Sequence, residues 1–343
     1  MKVLLYTEWE KYVRKSGLGR AIKHQEKALR SQGVSVVKDP EEDFDIAHIN
    51  TYYPKSCQLA RRLKEMGKPV IMHAHSTMED FEHSFIGSDI LAPAFKQWLC
   101  FAYRQGDAII TPTAYAKSLL LTYPVDFPPI HVVSNGIDLS RYDRSLVNPN
   151  AFRERMGFSK DQTVVICVGL WIERKGILDV IALAKEEPSI QFVWFGESKR
   201  WQIPHKVCQA IDEAPDNLTF AGYIDPKRLR EAYVGADAFL FPTYEETEGI
   251  VLLEAMALKV PVIVRDIPIY ADWVKDGVEV LKGQSNEDFA RQIHWVQQHP
   301  EETKRLVEAG YKKVCANDIG MIGQQLISVY QEVIEANQHE KEE

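Results

Sequence analysis

Two glutamates, Glu246 and Glu254, stand eight positions apart in the run Thr243-Tyr244-Glu245-Glu246-Thr247-Glu248-Gly249-Ile250-Val251-Leu252-Leu253-Glu254-Ala255-Met256-Ala257. In a helix through this run Glu254 shares a face with Ile250, Ala257 and Leu258, so its carboxylate is carried into an apolar surface. A charge left unpaired there is costly, and the group requires a partner or a ligand hydroxyl. Carboxylates that accept from vicinal hydroxyls hold sugars and riboses, and Glu246 and Glu254 are the candidates for that work. Glu248 fits the ordinary enrichment of acidic side chains at a helix start. The N–H groups of Gly249 and Ile250 open the helix and can hold an anion without any side chain.

A second run, Val168-Gly169-Leu170-Trp171-Ile172-Glu173-Arg174-Lys175-Gly176, places two adjacent cations in a short loop after an apolar strand. A departing nucleoside diphosphate gathers negative charge, which Arg174 and Lys175 are suited to stabilise. Ser16-Gly17-Leu18-Gly19-Arg20 supplies glycines that let a backbone approach a phosphate, with a spacing that departs from G-x-G-x-x-G. His73-Ala74-His75 follows the apolar run Val70–Met72 and so stands at a carboxyl end of a sheet, where ligands of α/β proteins bind. Two residues apart on a strand, the imidazoles are expected to point in opposite directions. Glu79, Asp80 and Glu82 add no standard ligand spacing, so no metal is expected. Asp43-Phe44-Asp45 reads as the exposed lead-in to a strand.

The elements that must position these groups alternate along the chain as βαβ units do, which implies parallel sheets. Apolar runs at Val3–Tyr6, Ile46–Ile49, Val70–Met72, Ala108–Ile110 and Ile130–Val133 form a first series of strands, with a helix at Ala21–Gln32 closed by Gly33. Runs at Val164–Val168, Gln191–Phe195, Leu218–Phe220, Ala238–Phe241 and Val260–Val264 form a second. A length of 343 residues also favours two cores. The expected division is 1–142, 143–318, and a closing amphipathic helix from 319 that crosses back to the first domain and ends in a frayed tail.

The net charge is −8, from 41 Lys and Arg against 49 Asp and Glu. Residues 1–150 hold 19 basic and 17 acidic groups, which leaves 22 and 32 for the remainder. No strongly basic domain exists to neutralise a phosphate backbone, which argues against a nucleic-acid partner. Five scattered cysteines without a CxxC pair suit a reducing cytoplasm. No apolar run reaches the length of a membrane span. The segment Leu91–Arg104, with Phe95, Trp98, Leu99, Phe101, Tyr103 and Lys96, suits a core helix and also an interfacial one. Lys55, Arg61, Arg62, Lys64 and Lys68 nearby would attract an anionic membrane surface.

Together these motifs resemble the retaining glycosyltransferases of family four, and the likeness covers nearly the whole chain. Its carriers are Ser16–Gly19, His75, Asn135-Gly136-Ile137-Asp138, Lys175-Gly176, Gly222-Tyr223-Ile224 and the Glu246/Glu254 pair. The resemblance implies a GT-B fold, α/β with two Rossmann-like domains whose parallel sheets face across a cleft. It implies Glu246 and His75 at the transferred sugar, Glu254 at the ribose, Lys175 at the diphosphate and Gly222–Ile224 beside the base. Gly17, Gly19, Arg174, Gly249 and Ile250 join the donor-binding set. One departure stands out: the family usually carries an arginine after the glycine at Gly169, and this chain has Leu170.

The stretches Lys15–Gln25, His73–Thr77, Glu173–Gly176 and Arg265–Tyr270 further resemble bacterial glycolipid synthases that extend monoglycosyl-diacylglycerol to diglycosyl-diacylglycerol. That likeness implies a UDP-hexose donor, glucose or galactose, with no metal or other cofactor. It implies a glycolipid acceptor met at the inner face of the cell membrane, to which the protein binds peripherally. Transfer to another acceptor such as a polysaccharide precursor, or epimerase or hydrolase chemistry on the same scaffold, are the alternatives.

Overall fold

The computed structural model describes residues 1–14 and 16–342. Lys15, the first residue of one glycolipid-synthase-like stretch, lies outside the described residues. The chain resolves into two compact units. The first comprises Met1–Glu79, Ile90–Asp138 and Asn317–Glu343; the second comprises Leu139–Ala316 together with Asp80–Asp89.

The first unit is built on strands β1 (Lys2–Tyr6), β2 (Ser35–Val37), β3 (Ile46–Ile49), β4 (Val70–His73), β5 (Ala108–Thr111) and β6 (Ile130–Val132), in the order β2-β1-β3-β4-β5-β6. Every pairing is parallel. β3, β4 and β5 are buried at each position because helices cover both faces, and this is why they read as nearly continuous apolar runs, with His48, His73 and Thr111 the exceptions. Ser16 caps the helix Gly17–Ser31, its hydroxyl accepting from the Gly19 N–H at 3.3 Å. That helix packs Ile22, Ala28 and Leu29 into one core with Ile322, Leu326, Val329 and Tyr330 of the closing helix Ile319–Glu342. Gly323 permits their approach, since a Cβ there would stand 2.4 Å from the Ala28 carbonyl oxygen. Parallel bridging of Ile137 and Asp318 fastens the closing helix, with Ile319 N–H donating to the Ile137 carbonyl at 3.0 Å.

The second unit repeats the plan with β7 (Thr163–Val168), β8 (Ile190–Phe195), β9 (Leu218–Gly222), β10 (Ala238–Phe241), β11 (Val262–Arg265) and β12 (Leu281–Gly283), in the order β12-β11-β10-β7-β8-β9. All pairings are again parallel. Its core includes Phe192, Trp194, Leu240 and Phe289, and each such side chain contributes roughly 1.5–3 kcal/mol through burial. Between β7 and β10 the strand order reverses direction. In open α/β sheets the carboxyl ends at such a point form a ready crevice for ligands.

Several expectations need correction. The strands β2 (Ser-Val-Val) and β12 (Leu-Lys-Gly) carry too few apolar residues to read as runs and are additions to the expected set. The closing helix runs through Glu342 instead of fraying after residue 336. The first division falls at Asp138, and Asp80–Asp89, expected in the first domain, belongs to the second unit.

Candidate active site

In the second unit the loop after β7 turns through the single 3-10 turn Glu173–Lys175, and Gly176 ends it at φ 74°. No L side chain fits there easily, because a Cβ on Gly176 would lie 2.5 Å from the Pro242 carbonyl oxygen. This close passage brings Lys175 against the loop that follows β10. There Lys175 Nζ pairs with Glu246 Oε1 and sits 5.4 Å above the Phe241 ring. The Thr243 hydroxyl donates to the same carboxylate oxygen at 3.0 Å. Glu246 is 5% exposed, and Lys175 is also largely buried, so burial lowers the lysine's pKa against the opposing pull of Glu246.

Arg174 is held as firmly. Its Nη1 lies 2.8 Å from Asp80 Oδ1 and donates to the Glu245 carbonyl at 2.7 Å, while Nε donates to Ser84 Oγ at 3.0 Å. Its backbone N–H donates to the His83 carbonyl at 3.2 Å. The segment Asp80–Asp89 thus grips the arginine, and Nη1 reaches within 4.0 Å of Glu246 Oε1. Burial raises the Asp80 pKa, partly offset by Arg174. Two cations and two carboxylates therefore form one buried cluster, and neither cation is the solvated turn residue that adjacent basic groups usually are. Leu170, at the family's arginine position, is exposed.

Glu254 has no exposed surface. It stands in the helix Ile250–Ala257, and the Tyr142 hydroxyl donates to Oε1 at 2.6 Å while the Tyr233 hydroxyl approaches Oε2 at 3.4 Å. These partners answer the requirement that a core carboxylate be satisfied. Gly249 takes φ 84° before that helix, and its missing Cβ leaves room for the Phe241 ring and the Tyr270 hydroxyl. Ile250 is buried behind it. Glu248 stands one residue before the Gly249 that begins this helix and is only 5% exposed. Ile224 lies in the partly exposed turn after β9, just before Asp225 caps the helix Pro226–Gly235.

In the first unit His75 lies two residues beyond β4. Its ring stacks on that of His73, with centroids 3.7 Å apart and planes 4° from parallel. The expectation of opposed imidazoles fails because β4 ends at His73 and the chain turns, His75 N–H donating back to the His73 carbonyl at 3.2 Å. His75 Nε2 is 2.9 Å from Asn50 Oδ1. Burial pushes the His75 pKa down to about 3, so the ring is neutral at ordinary pH. Gly17 and Gly19 occupy the first turn of their helix. Gly19 has a packing reason of its own, since a Cβ would stand 2.3 Å from the Val13 carbonyl oxygen.

The structure therefore joins Arg174, Lys175 and Glu246 in one cluster, with Gly249, Ile250 and Glu254 on the adjoining helix. His75, Gly17 and Gly19 stand in the other unit. Sequence reasoning missed Asp80, Ser84, Thr243, Tyr142, Tyr233 and Asn50. Asn50 had a usable signal, being the first residue past β3 at the sheet's carboxyl edge. The tyrosines had none, because their contacts to Glu254 span 112 and 21 positions. Among the described residues no group of three or more His, Cys, Asp or Glu is placed to hold a metal ion.

Known proteins resemble this chain in sequence and in fold. Residues 149–313 match the family described as glycosyl transferases group 1, and residues 38–141 match glycosyltransferase family 4. A processive diacylglycerol alpha-glucosyltransferase of Acholeplasma laidlawii is 42% identical over 97% of this chain and 99% of its own length. The chain is a family-four glycosyltransferase. An alpha-galactosylglucosyldiacylglycerol synthase of Streptococcus pneumoniae is 26% identical to this glycosyltransferase over 78% of the chain and 71% of its own length. Among solved structures, Anabaena HepE in complex with UDP and glucose superposes with a TM-score of 0.77 at 15% identity, covering 96% of this glycosyltransferase and 99% of that chain. A sucrose-phosphate synthase of Thermosynechococcus elongatus gives 0.81 at 17% identity, with 98% and 100% covered. These likenesses show the GT-B class of α/β fold for the glycosyltransferase.

Proposed function

We propose that this glycosyltransferase moves glucose or galactose from a UDP-hexose to a membrane glycolipid, extending monoglycosyl-diacylglycerol to diglycosyl-diacylglycerol with retention at the anomeric carbon. The relative with 42% identity, which aligns almost end to end, acts on diacylglycerol by its name, and this supports the lipid acceptor. The observation that carries the reading is the buried contact of Lys175 with Glu246 where β7 and β10 end side by side.

In this reading the bond from the hexose C1 to the diphosphate oxygen breaks while the acceptor hydroxyl attacks C1 from the same face. The electron pair leaves with the diphosphate, and the hydroxyl proton passes to the departing phosphate oxygen. Lys175 and Arg174 stabilise the charge that develops there, Arg174 in place of the arginine replaced by Leu170. Backbone N–H groups at Gly249 and Ile250 add to that field. Glu246 accepts from hexose hydroxyls, Glu254 from the ribose, and His75 contacts the transferred sugar as a neutral imidazole. Ile224 lies beside the base, Gly17 and Gly19 let the backbone approach the donor, and no metal is needed.

A peripheral seat on an anionic membrane surface, at the inner face of the cell membrane, completes the reading. No helix among the described residues is long and apolar enough to cross a membrane. Ile90, Leu91 and Phe101 expose apolar surface on the helix Ser88–Tyr103, whose Leu99 and Tyr103 are buried. Beside it, Arg61, Arg62, Trp98 and Phe101 line a groove of about 390 Å³. Cations flanking exposed apolar side chains are what an anionic interface attracts.

The direct test is Glu246→Gln, which keeps the side chain's size and removes its charge. Turnover of UDP-hexose with glycolipid is expected to fall by about a hundredfold or more, the usual cost of removing one group that acts in the transition state, while the circular dichroism spectrum stays unchanged. Near-normal turnover in a folded variant would remove Glu246 from the site.

A further inference from the structure

Behind His75 lies a buried polar chain that crosses the first unit. Asn50 Nδ2 donates to Gln25 Oε1 at 2.8 Å, so its Oδ1 is the acceptor facing His75 Nε2. Gln25 Nε2 lies at the edge of the His48 ring, 2.8 Å from Nδ1 and 3.0 Å from Nε2. His48 Nδ1 stands 2.6 Å from the Tyr330 hydroxyl, and His48 Nε2 stands 3.0 Å from His73 Nδ1. The ring of His73 in turn carries the stacked ring of His75. Two routes thus run from Tyr330, on the closing helix, to His75: one through His48 and His73 by stacking, the other through Gln25 and Asn50 by hydrogen bonds.

The proton positions along the chain are mutually determined. A neutral imidazole has one donor and one acceptor nitrogen. His48 Nδ1 lies against the Tyr330 hydroxyl and His48 Nε2 against His73 Nδ1, so the tautomer of one ring fixes which nitrogen of the other carries its proton. Asn50 Oδ1 likewise requires the proton of His75 on Nε2, so that Nδ1 of His75 is the acceptor nitrogen. Gln25, His48, Asn50, His73 and Tyr330 are all buried, and burial keeps the three histidines neutral.

Stability alone does not account for this arrangement. His73 Nε2 is buried with no hydrogen-bond partner, a defect that an apolar ring of similar shape would not carry. Unsatisfied polar atoms of this kind are retained where a site needs them.

We propose that Tyr330, His48, His73, Gln25 and Asn50 form a positioning network that sets the tautomer and ring plane of His75, with the closing helix supplying its far anchor. This rests on the reading of His75 as a group that touches the transferred sugar. Tyr330 touches no substrate; it acts through the rings between.

The test is a mutant cycle on the full-length protein, read as kcat and donor KM with UDP-hexose and glycolipid. Tyr330→Phe keeps the ring and removes the hydroxyl. It is expected to lower kcat about tenfold, the size of one lost orienting hydrogen bond, with donor KM within about twofold of wild type. In a His75→Ala background the same change is expected to have no further effect on kcat, since nothing remains to be positioned. Should Tyr330→Phe fail to fold, Asn50→Leu runs the same cycle from the other route. Wild-type kcat in Tyr330→Phe, or an equal loss in both backgrounds, overturns the network. Wild-type kcat in His75→Ala instead overturns the assignment of His75 to the sugar, so the two failures are distinct.

Discussion

Lowering the pH should unfold the first unit through its buried histidines, and the size of the effect follows from their burial. Desolvation holds His48 near a pKa of about 3 and His75 likewise, with His73 well below its ordinary value. In the unfolded chain each returns to about 6.5. The folded values are depressed, so the unfolded state takes up protons first as pH falls. Stability is therefore complete above about pH 7 and declines as pH falls through 6.5 toward 3. For His48 alone, which has no exposed surface, the loss reaches about 2 kcal/mol at pH 5, with a slope approaching 1.4 kcal/mol per pH unit. The other two histidines add to it, and a loss of that order is a large part of a domain's stability. Urea unfolding followed by circular dichroism from pH 7.5 to 5.0 measures the effect, with His48→Gln as the reference protein. The wild-type midpoint should fall more steeply with acidification than that of the variant, by about one proton's worth of linkage. Parallel pH profiles in the two proteins would refute the reasoning.

Three further outcomes follow from the second unit. Glu254→Gln keeps one acceptor oxygen for the Tyr142 hydroxyl and sets a buried amide NH2 where Oε2 faced Tyr233, so calorimetry should show UDP binding weakened about tenfold and melting should show a loss of about 1–3 kcal/mol; unchanged UDP affinity would separate Glu254 from the ribose. Arg174→Lys cannot span Asp80, Ser84 and the Glu245 carbonyl as the guanidinium fork does, and kcat is expected to fall about a hundredfold with the fold retained; steady-state assays check this. Gly176→Ala forces a Cβ against the Pro242 carbonyl at φ 74°, and a loss of about 1–3 kcal/mol in thermal unfolding is expected from the strain.

The central strands of both sheets were legible because double-sided burial makes them continuous apolar runs, as in β4 and β10. Strands β2 and β12 were not, since Leu-Lys-Gly holds one apolar residue and Ser35 leaves only Val36 and Val37 in β2. Glu254 was readable as a buried carboxylate from helical spacing alone, yet its partner Tyr142 was not, because nothing local relates positions 112 apart. The Lys175–Glu246 pairing depends on β7 and β10 being neighbours although two strands intervene in sequence. The stack of His73 and His75 does not follow from strand alternation, because β4 ends at His73 and the chain turns there.

The fate of the transferred sugar is the most direct measure of what this glycosyltransferase does. Labelled UDP-glucose and UDP-galactose, each incubated with the protein and vesicles of monoglycosyl-diacylglycerol and anionic phospholipid, should give one lipid-borne α-linked disaccharide product. UDP should be released in equal amount and only when the glycolipid is present. Release of UDP or free hexose without acceptor, with no label in the lipid, would contradict transfer to the glycolipid.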